Sequence, residues 1–166
     1  DIGVLQGGFP RESNVVIEVG GVRTNFRMPD ILAIGLGGGS LVARGGMSVG
    51  PRSVGHRLVD EAMVFGGDTL TATDIAVAEG AAEIGDPGYV AELGGDTIAS
   101  ARATMNDMLA RGVDTMSPGE QPLPVVLVGG GAILASSFDT AGPLVHPEQA
   151  GVANAIGAAI AQIGGE

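Results

Sequence analysis

The amino-acid sequence predicts an α/β domain with a mixed sheet and flanking helices. Two observations carry that expectation. The apolar runs come in the order strands, then helices, then a strand–glycine–helix unit. Glycine, 30 of 166 residues, gathers at the ends of those runs instead of repeating with a collagen period. Glycine costs backbone entropy on folding. A chain that places it at strand ends is making room for tight turns or for the close approach of a ligand.

Asp1–Gln6 reads as a short strand. The runs Asn14–Val19 and Val22–Met28 flank Gly20-Gly21, the signal of a two-residue hairpin with a primed turn. The register sets Val19 opposite Val22, Glu18 opposite Arg23, Ile17 opposite Thr24 and Val15 opposite Phe26. Pro29 ends the hairpin, and Asp30–Ile34 is a short apolar strand running into Gly35-Leu36-Gly37-Gly38-Gly39-Ser40. Leu41–Arg44 and Met47–Val49 flank Gly45-Gly46 and predict a second hairpin. Gly50–Ser53 reads as a turn, and the stretch to Gly67 as an irregular surface segment.

Thr71 and Asp74 have the spacing of a capping box, which opens a short helix ending at Gly80. Asp96–Arg111 is the strongest helix. Ile98, Ala101, Met105, Met108 and Leu109 share one face, with Asp96 as N-cap and Gly112 just past the end. The β-branched run Pro124–Val128 reads as a buried strand ending in Gly129-Gly130-Gly131. Pro147–Ile163 is the last helix, with Ile156 and Ile160 on its buried face.

The length fits one domain spanning residues 1–166. Because the chain starts on Asp1, it is expected to be a piece of something longer. No apolar run is long enough to span a membrane. Cysteine is absent, which removes disulfides and thiolate sites and is compatible with a cytoplasmic location. The net charge is -11 and there is no lysine, so no basic footprint exists for nucleic acid. A free nucleotide is a different case, since backbone N–H groups and a divalent cation can hold it.

Each glycine cluster has two readings. Gly37, Gly38 and Gly39 with Ser40 form either an anion nest or a wide β-connection needing positive φ. They do not match the dinucleotide fingerprint, nor does a P-loop pattern occur. Gly129–Gly131 follow a strand end, where ligands bind or where the next helix packs closely. Asp1, Asp30, Asp74 and Asp139 are candidates to hold Mg²⁺ beside a phosphate, or are caps and turns. His56 and His146 have no zinc spacing, and no serine sits in a hydrolase elbow.

The segments Met28–Ser40 (MPDILAIGLGGGS), Val49–Gly55 (VGPRSVG), Leu70–Val77 (LTATDIAV), Val128–Gly131 and Ala150–Ala159 (AGVANAIGAA) occur in that order. This ordered set resembles the hydantoinase A / 5-oxoprolinase family across nearly the whole chain. The resemblance implies the C-terminal ribonuclease-H-like part of such an enzyme, a half of the actin and sugar-kinase superfold that lacks its first strand. It implies ATP with Mg²⁺ or another divalent metal, and ring opening of a small cyclic amide such as a hydantoin or 5-oxoproline. By this resemblance Asp1 and Asp30 are catalytic, with Asp1 also on the metal. Gly37, Gly38, Gly39 and Ser40 lie near phosphates or substrate, Gly129, Gly130 and Gly131 on the adenosine side, and Asn154 in the last helix. A non-catalytic nucleotide-binding or assembly domain and a kinase-like phosphotransferase are the alternatives. The implied partners are the N-terminal half of the same protein, a B-type hydantoinase subunit and a second copy in a homodimer. Leu32 stands where many members have a histidine, and Arg52–Gly67 lacks the usual cysteine.

Overall fold

The structure is a computed structural model that describes residues 1–13, 17–24, 28–119, 121–136 and 138–160. The described chain is α/β, with small two-stranded sheets, both antiparallel and parallel, and flanking helices.

The first region is an antiparallel arm. Strand β1 (Ile2–Gly3) runs on to β2 (Leu5–Gln6), which turns back through Gly7 and Gly8 onto β3 (Phe9–Pro10). Both glycines have positive φ, 59° and 88°. The expected single strand Asp1–Gln6 is therefore two, because its halves pair with different partners. Strands β4 (Ile17–Val19) and β5 (Val22–Thr24) form the hairpin in the expected register, Val19 on Val22, Glu18 on Arg23 and Ile17 on Thr24. Its turn residues Gly20 and Gly21 have φ of 59° and 79°, as a primed turn requires. The Val15–Phe26 pair lies outside the described residues. The chain returns through Asp30, whose N–H donates to the Arg11 carbonyl at 2.7 Å, and β6 (Ile31–Leu32) pairs with β1.

The second region holds the core. Strands β7 (Ser40–Val42) and β8 (Val49–Ser53) pair antiparallel, Ser40 opposite Ser53 and Val42 opposite Val49. The second hairpin is thus present, but Gly50–Ser53 is strand and not turn. Short helical turns follow, including α1 (Leu58–Glu61). Ala62 and Val64 there are fully buried, so the segment is not confined to the surface as its lack of a period predicts. They pack with Val77 and Val90. Helix α2 (Ala72–Ala78) and the long helix α3 (Gly95–Met116) complete the main cluster, in which Val42, Val49, Ile75, Met105 and Leu134 meet.

Helix α3 runs past Gly112, the expected stop. A Cβ at Gly112 would collide with the Ile2 Cδ1 and lie 3.6 Å from Ile34 Cγ2. This glycine buries the arm against the helix and terminates nothing. Nor is Asp96 the N-cap, since Gly94 occupies that position.

The third region is a parallel pair, β9 (Val125–Val126) with β10 (Leu144–Val145), and a last helix, α4 (Ala153–Ile160). The expected buried strand is only half-buried on one face and exposed on the other. Val126 and Val128 are 46% and 49% exposed, while Val125 and Leu127 point inward. Ile156 is 37% exposed, so the face expected to be buried is open at this residue. The Gly and Ala surface around it has no close partner among the described residues. The Ile160 side chain falls outside them.

Candidate functional site

The Gly35–Ser40 loop connects β6 to β7, and its glycines are packed. None of the loop glycines has a positive φ. A Cβ on Gly35 would lie 2.7 Å from Pro51 Cβ, one on Gly38 2.8 Å from Thr73 Oγ1, and one on Gly39 2.8 Å from Ser53 Oγ. Close approach and not backbone twist explains Gly35, Gly38 and Gly39.

The loop's polar groups face its own surroundings. The Gly37 N–H donates to Ser40 Oγ at 2.9 Å, and the Ser40 hydroxyl donates to the Gly35 carbonyl at 3.4 Å. Ser40 is 3% exposed. The Gly38 carbonyl accepts from the Thr73 N–H at 2.9 Å and from the Thr73 hydroxyl at 3.0 Å. The Gly39 carbonyl accepts from the Val54 N–H at 3.0 Å. At Gly37 alone, among these three glycines, a Cβ would meet nothing within 4 Å.

Beside this loop a shallow groove of about 310 Å³ separates the Leu32–Gly35 segment from α3, lined also by Met108, Arg111, Gly112 and Thr115. Arg111 is paired one turn back with Asp107.

The carboxylates fall into three settings. Asp74 is fully buried. Its Oδ1 accepts from the Val64 N–H at 2.7 Å. Its Oδ2 accepts from the Thr71 N–H at 2.7 Å and the Thr71 hydroxyl at 2.8 Å. It is the capping box the sequence shows, and it also links the two buried clusters. Asp30 accepts from Arg11 Nε at 2.9 Å and lies 2.8 Å from Arg11 NH2. Arg11 also donates to the Met116 carbonyl at 3.3 Å, anchoring the arm to the end of α3. Asp1 is exposed. The register of β1 on β6 sets Asp1 and Asp30 at opposite ends of that pair. The two are not brought together, and no three His, Asp or Glu residues cluster among the described residues.

The glycine triplet differs from the loop. Gly129 has φ of 78° and follows β9, and a turn of 3-10 helix (Gly130–Ala135) begins directly after it. A Cβ at Gly129, Gly130 or Gly131 would meet nothing within 4 Å. The backbone here is open to a neighbour at the carboxyl end of a parallel strand, where ligands of α/β folds bind. The Gly129 N–H donates to the Ala150 carbonyl at 2.7 Å, joining the triplet to the segment before α4. Asn154 is exposed on α4.

No part of the sequence pattern singles out Arg102, which is central here. From α3 it donates through Nε to Glu79 Oε2 at 2.9 Å, and its NH2 lies against Glu79 Oε1. Its NH1 donates to the Leu134 carbonyl at 2.5 Å. Burial holds its pKa below the ordinary arginine value.

A family model for hydantoinase/oxoprolinase matches residues 1–84, and the chain belongs to that family. Two expectations are corrected by the extent of the match. It covers the N-terminal half of this chain and not nearly the whole, and it gives no support to a C-terminal part. Val128–Gly131 and Ala150–Ala159 fall outside it, where short Gly/Ala strings carry little information. No curated protein and no solved structure matches the chain.

Proposed function

We propose that the chain serves an ATP-dependent enzyme that opens small cyclic amides of the hydantoin or 5-oxoproline type, on a ribonuclease-H-like framework. The family match over residues 1–84 carries this reading. ATP with Mg²⁺, when bound, supplies the phosphoryl group that activates a ring amide for attack by water.

The residues present fit a nucleoside better than a resident metal. The open backbone at Gly129–Gly131 leaves room for an adenosine. The described residues contain no acidic or histidine cluster for a protein-held ion. A Mg²⁺ that arrives on phosphates needs only one or two carboxylates, and the exposed Asp1 is available for that. Gly37 offers the open edge of the first loop, with Gly38, Gly39 and Ser40 as its support. Asn154 would stand on the helix beside the triplet. In this reading a B-type subunit and a second copy of the chain are the expected partners.

A second reading is a nucleotide-binding module without turnover. The Asp30 carboxylate is committed to Arg11 and the Ser40 hydroxyl to its own loop, which favours it. One experiment separates the two. The full-length protein is incubated with 5-oxoproline or hydantoin and MgATP, and ring-opened product is measured against ADP. Stoichiometric product and ADP support the enzyme. MgATP binding without either supports the module.

A further inference from the structure

We propose that Arg102 is a positioning residue for the Gly129–Gly131 turn, holding it in register with helix α2 through a single guanidinium. The proposal rests on the reading that this turn faces nucleotide, and its test is separable from that reading.

The geometry is a three-way junction. Nε donates to the carboxylate of Glu79, the residue that caps the C-terminal end of α2, and NH2 lies in ion-pair contact with the same group. NH1 reaches the Leu134 carbonyl, five residues past Gly129 in the 3-10 turn that the triplet opens. The Arg102 and Glu79 side chains are 12% and 19% exposed. The planar guanidinium fixes the angle between its two partners, and an ion pair shielded from solvent is less screened than an exposed one. Glu79 lies inside the family-matched segment and Leu134 outside it. Arg102 is therefore a polar tie, among the described residues, between the matched half and the open turn. Apolar packing reaches the same segment through Leu134, which is buried in the main cluster. That packing is indifferent to small rotations of the backbone, whereas a directed hydrogen bond to the carbonyl is not.

A lysine at 102 keeps the charge and can reach one partner, but cannot hold both at a fixed angle. Amide exchange is followed in the parent, Arg102→Lys and Glu79→Gln, first without nucleotide and then with MgATP. In both variants the Gly130–Ala135 amides are expected to exchange about tenfold faster, the scale of one lost charge-assisted hydrogen bond. The Ile75–Ala78 amides should change less than about twofold on the same scale. The double variant should be no worse than the worse single variant, because both break one junction. Equal acceleration in both segments, or none in Gly130–Ala135, would overturn the proposal. Selective loosening in a protein whose parent shows no MgATP protection would uphold the positioning role and sink the nucleotide reading alone.

Discussion

Two glycine clusters that look alike as sequence do opposite things. Gly35–Ser40 is filled at Gly35, Gly38 and Gly39, where Pro51, Thr73 and Ser53 occupy the space where side chains would go. Gly129–Gly131 is empty over the same volume. In the first, glycine allows protein to meet protein. In the second, it leaves backbone accessible. The difference comes from what crosses over each loop, β8 and the first turn of α2 in one case and nothing described in the other. A glycine run therefore marks close approach of something, and only the tertiary neighbours say of what.

The largest effect should come from the support beneath the filled loop. Asp74→Ala would strand the buried Val64 and Thr71 N–H groups and cut the link between the two clusters. A loss of about 3–4 kcal/mol is expected in urea melts. A loss under about 1 kcal/mol, the size of an ordinary exposed cap, would show that the loop region does not depend on this carboxylate.

Next comes the loop itself. Gly39→Val would overpack against Ser53, Val54 and the backbone of Gly55, costing about 2–3 kcal/mol. A parent-like melt would mean that the loop is looser than its contacts imply.

The open region should be far more tolerant. Ile156→Ala is expected to cost less than about 1 kcal/mol, since the side chain is over a third exposed. A loss of about 2–5 kcal/mol, the range for a buried isoleucine, would indicate that this face is covered in solution.

Smallest of all is Gly131→Ala, which has neither a positive φ nor a neighbour. Its stability should stay within about 0.5 kcal/mol of the parent. A clear loss would place something against the triplet and erase the contrast.

What was legible in the sequence was local. The Gly20-Gly21 turn fixes its own register, and Thr71 with Asp74 caps its own helix. What was hidden depends on distant residues. Gly112 reads as a helix stop because nothing nearby shows that Ile2 needs its space. Gly50–Ser53 reads as a turn because Gly and Pro dominate it, yet pairing with β7 extends it. For the candidate site, the two clusters were found by composition, but their opposite surroundings were not. Arg102 gave no signal, since its partners lie 23 and 32 residues away.

The contrast between the clusters is tested most directly by backbone amide NMR of the chain, titrated with MgATP into the millimolar range. The predicted result is shift changes concentrated at Gly129, Gly130 and Gly131, with a smaller change at Gly37. The amides of Gly38, Gly39 and Ser40, enclosed by Thr73, Ser53 and Val54, should stay in place. Changes centred on Gly38–Ser40 with the triplet unmoved, or no change in either, would contradict the account.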